Sequence, residues 1–148
     1  MKVTETKNSF KRVLVGVDDS DDAQLAFRYA MRRCIRDDST LIITSILEND
    51  EMNVYQALTK DYVHGERAEL DKHILEYRDV ALHAGVKKVE AIVAEGDPGE
   101  TIVKKVIPSS EADLLVIGSL SKRGIRKYFG SQAAYMAKYS PISIMIVR

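Results

Sequence analysis

The chain has 148 residues, is 45% hydrophobic and 30% charged, and carries zero formal net charge and one cysteine. This length suits one domain able to bury its own core. Its apolar runs fall well short of the roughly 18 residues of a membrane span, and one thiol cannot build a disulfide framework.

The opening "MKVTETKNSF" has no apolar region of the kind a secretory signal needs, so a cytoplasmic chain with one domain over residues 1–148 is expected. "KRVLVGV" (Lys11–Val17) is short and branched and stops at "DDSDD", which reads as a buried strand ending in a turn. Ser20 or Asp19 can cap the next helix, with Asp21 and Asp22 at the positive end of its dipole. Ala23, Phe27, Ala30, Met31 and Cys34 recur at three and four residues and form its apolar stripe. "TLIITSIL" (Thr40–Leu47) is the second strand, and the stretch after it is irregular. A long helix follows from about Asp61 to Ala84. Leu70, Ile74, Tyr77, Ala81 and Ala84 are its apolar face, and Gly85 suits a left-handed stop.

"KKVEAIVAEG" (Lys87–Gly96) is the third strand. Asp97 as N-cap, Pro98 in the first helical position and Glu100 three residues after the cap then open a helix. Ile102, Val106 and Ile107 are its buried face, and Pro108 is expected to end it. "ADLLVIG" (Ala112–Gly118) is the fourth strand. A loop leads to a short helix, "SQAAYMAKYS", and a fifth strand, "PISIMIVR". Apolar strands alternating with helices predict an α/β fold: a doubly wound five-stranded parallel sheet with helices on both faces.

Charge is unevenly placed. The first 113 residues hold 16 cations against 22 acids, whereas residues 114–148 hold six cations and no acid. Four of the six, Lys122, Arg123, Arg126 and Lys127, fall in "GSLSKRGIRKYFGSQ" (Gly118–Gln132). Of the four loops at the carboxyl edge of the sheet, only this one joins glycines, cations and a helix start. Gly118 lets backbone approach a ligand closely, and Gly130 and Ser131 are placed to offer unpaired N–H groups to an anion. The competing reading is a solvated basic loop. Asp18, directly after strand one, suits a ribose hydroxyl or adenine amine, or it merely shapes the turn.

Other chemistry has little to stand on. His64, His73 and His83 lie at spacings of 9 and 10 without metal-ligand geometry and are expected to be solvated. The P-loop and G-x-G-x-x-G patterns are absent. No nucleophile–base pair stands out, so the chain is at most a slow ATPase. The basic residues form one compact loop with two aromatics, Tyr128 and Phe129, rather than the stripe a nucleic acid would need.

Four stretches, "VLVGVDDS", "GDPGETIV", "ADLLVIGS" and "GSQAAYMAKYSPISIMIVR", resemble the universal stress protein family (UspA-like). The resemblance implies strand order 3-2-1-4-5, a dimer and, as in many members, ATP bound through G-x-x-G-x9-G-[ST]. Gly118 matches the first glycine of that motif, and Gly130 and Ser131 match its final pair. Ser121 stands where the second glycine is expected, eight rather than nine residues separate it from Gly130, and Gly124 fits a further glycine of the loop. Asp18 and Ser20 match the V-D-x-S turn beside the nucleoside, and Ile46 a position whose backbone meets adenine.

The implied ligand is therefore ATP or a related adenine nucleotide. Val17, Asp18, Ser20 and Ile46 would lie at the nucleoside, and Gly118, Ser121, Gly124, Gly130, Ser131 and Gln132 around the phosphates. Lys122 and Arg126 would add charge, and a divalent cation can accompany the phosphates. The implied role is a cytoplasmic stress-response sensor or regulator. Some members lack the motif, so a nucleotide-free dimeric protein-interaction module of the same fold is the alternative. In the family order the last strand is an edge. Ile142, Ile144 and Ile146 on one of its faces invite pairing with a second copy.

Overall fold

Five short branched runs become five strands: β1 (Arg12–Gly16), β2 (Thr40–Leu47), β3 (Val89–Glu95), β4 (Leu114–Gly118) and β5 (Ser143–Val147). The structure, a computed structural model, describes residues 9–48, 60–119 and 126–148. The strands are all parallel, in the lateral order β3-β2-β1-β4-β5. Helices α1 (Asp21–Asp37), α2 (Lys60–Ala84), α3 (98–110) and α4 (Arg126–Tyr139) connect them.

The pleat sends alternate residues to opposite faces, and helices cover both. Val13, Val15, Leu41, Ile43 and Val116 meet Phe27, Ala30 and Cys34 of α1 and Ile74 and Ala81 of α2. Leu14, Ile42, Leu115 and Ile117 meet Ile102 and Val106 of α3 and Ala133 and Met136 of α4. Each Val, Leu, Ile, Phe or Met side chain among them contributes roughly 1.5–3 kcal/mol by leaving water. Cys34 belongs to this core. Burial, reinforced by the Asp37 carboxylate, pushes its thiol up to about 12, so it behaves as a small hydrophobe.

Ser20, not Asp19, caps α1: its hydroxyl accepts from the Ala23 N–H at 3.1 Å. Asp97 caps α3 as expected, accepting from the Glu100 N–H at 3.3 Å. Two expectations need correction. Ala84 is exposed, because ten residues beyond Ile74 the helix has turned roughly 80° away from the Ile74–Ala81 stripe. Pro108 does not end α3. A π-helical stretch, Ile102–Val106, precedes the final turn Ile107–Ser110. Widening the helix there accommodates the proline ring and its missing donor, which would break a regular α-helix.

β5 lies at one edge of the sheet. Its two isoleucines and Ile142 just before it are not equally open. Ile142 and Ile144 are half-buried against the core beneath α3 and α4, while Ile146 is 39% exposed. Among the described residues, no helix is long and apolar enough to cross a membrane.

Candidate functional site

The winding direction reverses between β1 and β4, which opens a crevice beyond their carboxyl ends. On the β1 side the chain turns sharply. The Val17 N–H donates to the Thr44 carbonyl of β2 at 2.9 Å. The Asp18 Oδ1 then accepts from both the Ser20 N–H, at 3.1 Å, and the Ser20 hydroxyl, at 2.6 Å. This turn sets the cap of α1, so the turn-shaping role of Asp18 is realised.

Asp19 stands between these two residues with φ +65. Its Oδ1 accepts from the Tyr77 hydroxyl at 2.7 Å and lies 2.7 Å from His73 Nε2. Burial first, then the bond to Asp19, holds the Tyr77 hydroxyl well above its ordinary pKa, so it stays protonated and donates. The His73 side chain remains 46% exposed, and its contact with Asp19 adds a partner to the solvated position expected for it. His73 and Tyr77 are four residues apart on one face of α2, which aims both at the turn.

On the β4 side, Gly118 allows a close approach, and its partner is α1. A Cβ built there would lie 2.6 Å from the Asp22 carbonyl carbon and 2.7 Å from the Ala23 nitrogen. The next residue reinforces the contact: the Ser119 hydroxyl donates to Asp22 Oδ2 at 2.6 Å, and its N–H to the Val147 carbonyl at 2.9 Å. Val17, Asp18, Ser20 and Gly118 are thereby brought together around the first turn of α1. Ile46, near the end of β2, pairs in register with Ala94 and packs on the α3–α4 core.

Among the described residues α4 already runs from Arg126, ahead of the glycine that suggested its start. The run Arg126–Phe129 contains no helix breaker, so the helix extends through it. The first-turn N–H groups therefore precede Gly130 and Ser131, which lie in the second turn. Gly130 is exposed, and a Cβ there would meet no described atom within 4 Å. The Gln132 side chain turns back on the protein. Its Oε1 accepts from the Gly99 N–H at 2.7 Å, and its Nε2 donates to Asp97 Oδ1 at 2.9 Å. Gln132 therefore ties α4 to the β3–α3 turn. Ser121, Lys122 and Gly124 lie outside the described residues, and Arg126 is placed only as the first residue of α4. No group of three or more potential metal ligands occurs among the described residues.

Residues 9–148 match the Universal stress protein family. The chain belongs to the universal stress protein family. A Staphylococcus saprophyticus relative, provisionally named a universal stress protein, is 27% identical over 141 residues, 95% of this chain and 84% of the relative. Among solved structures, the universal stress protein UspA from Lactobacillus plantarum superposes with a TM-score of 0.83 at 20% identity, covering 96% of this chain and 100% of that one. A universal stress protein in complex with cAMP gives a TM-score of 0.71 at 25% identity, covering 95% and 98%. The family fold is the one observed: five parallel strands in the order 3-2-1-4-5.

Three members of the site were missed in the sequence. Tyr77 and His73 carried a signal, because their four-residue spacing puts an aromatic donor and an imidazole on one helix face. Ser119 carried none, since a serine after a strand has no preferred partner until the strand order is known.

Proposed function

We propose that the chain binds an adenine nucleotide, ATP or a close relative, at the crevice between β1 and β4, and acts as a cytoplasmic stress-response regulator. The observation that carries this reading is Gly130. A glycine inside a helix costs about 0.5–1 kcal/mol relative to alanine. Gly118 offsets its cost by letting α1 pack, whereas Gly130 has no described neighbour that a side chain would strike. A small residue where the described fold leaves room suits a site that something else enters, and the four cations that precede it in the sequence, Lys122, Arg123, Arg126 and Lys127, suit a phosphate group. Asp18, fixed across the crevice, suits the nucleoside end. The cAMP-bound relative supports a nucleotide of this class. A divalent cation can accompany the phosphates.

Calorimetry with ATP and adenosine tests the orientation. Asp18→Ala weakens both ligands by a similar factor. Lys122→Ala with Arg126→Ala weakens ATP at least tenfold and adenosine little, because those cations act on phosphate charge. Equal loss of both ligands in the cation variant would reverse the assignment.

We also propose that two copies pair along β5. Among the described residues no strand pairs with its outer edge, and the exposed Ile146 adds apolar surface there. Light scattering at micromolar concentration should read twice the 16.6 kDa chain mass, and a monomer reading would sink this pairing. One observation favours the alternative, a nucleotide-free dimeric interaction module: the Gln132 amide, assigned to the ligand by resemblance, is already engaged by Asp97 and Gly99.

A further inference from the structure

Three non-glycine residues among those described have positive φ: Asp19, Asp38 and Glu111. Asp38 and Glu111 each close a helix, a common use of that conformation. Asp19 closes nothing. It sits between the end of β1 and the cap of α1 in a left-handed conformation that aspartate tolerates better than most residues but that other contacts still have to select. Two such contacts come from α2. Tyr77 and His73 both reach the same oxygen, Oδ1, at 2.7 Å.

α2 is well anchored for this. The Tyr77 ring meets Phe27 of the core edge-on, 4.9 Å between centroids, and the His73 ring packs beside it at 5.5 Å. The Tyr77 hydroxyl is therefore carried on a ring that cannot swing freely. Fixing the Asp19 backbone fixes the direction of the chain between Asp18 and Ser20. The two bonds from Ser20 then fix the Asp18 carboxylate.

We propose that Tyr77, His73 and Asp19 form a latch by which α2 holds Asp18 in its ligand-competent position, making all three positioning residues for the nucleoside end of the site. This rests on the nucleotide reading above, but the latch itself does not need a ligand to be observed. Without the donors, Asp19 is free to leave its left-handed conformation and the two neighbouring carboxylates repel. Asp18 then leaves its place, while the phosphate end, carried by α4, is untouched.

The test uses Tyr77→Phe, which keeps the ring on Phe27 and removes only the hydroxyl, and His73→Ala, with His73→Gln as the variant that keeps a donor. Amide exchange at residues 18–20 is read in the ligand-free protein, and binding of adenosine and of inorganic tripolyphosphate by calorimetry. Tyr77→Phe with His73→Ala should speed exchange at least tenfold and weaken adenosine about tenfold, with tripolyphosphate unchanged. His73→Gln should restore most of the loss seen with His73→Ala, which bulk destabilisation would not allow. Unchanged exchange in the double variant overturns the latch. Faster exchange with unchanged adenosine binding overturns its coupling to Asp18. A parent protein that binds no adenosine overturns the nucleotide reading and with it that coupling, and exchange in the same variants still decides the latch. If the double variant does not fold, Tyr77→Phe alone is read against the same outcomes.

Discussion

Gly118→Ala lowers the stability of the folded chain by about 2 kcal/mol or more. The added carbon would lie 2.6, 2.7 and 2.9 Å from atoms of Asp22 and Ala23, two of them backbone. No rotamer change relieves such a clash, so α1 has to lift from β4. Lifting it stretches the Ser119–Asp22 bond and disturbs the core beneath Ala26 and Phe27. Urea unfolding measures the effect as a lower midpoint at unchanged slope. A stability within about 0.5 kcal/mol of the parent would mean that α1 yields easily and that the glycine serves something other than packing.

Gly130→Val has the opposite character. The position is exposed, its surroundings are open among the described residues, and valine is at least as favourable as glycine in a helix interior. Stability should therefore hold within about 0.5 kcal/mol of the parent or rise. Nucleotide binding should be lost, because the branched side chain fills the space that phosphate oxygens would use. Thermal unfolding with and without ATP reads both quantities in one experiment. Retained binding in a folded Gly130→Val would remove α4 from the site.

These two glycines also show where sequence reading stops. Both sit in one loop-bounded stretch and both match a family motif, so composition treats them alike. Only the packing of α1 on β4 separates a glycine needed by the fold from one the fold does not use. The strands were legible because apolar runs bounded by turn residues leave few alternatives, and the capping residues were legible because their chemistry is local. The left-handed Asp19 was not, since its two donors come from α2, 54 and 58 positions away. A glycine reads as a helix boundary, yet α4 already runs through Arg126–Phe129, where nothing opposes a helix. The run past Pro108 was missed because a π-helical turn depends on packing along Ile102–Val106 rather than on a residue signature.

The central claim, an adenine nucleotide held between β1 and β4, is tested most directly by titrating ATP into the unmodified protein in a calorimeter. The account predicts a saturable heat at one site per chain, accompanied by a rise in Tm with ligand concentration. No heat and no change in Tm with ATP, cAMP or adenosine would contradict it, leaving the fold to serve as a ligand-free interaction module.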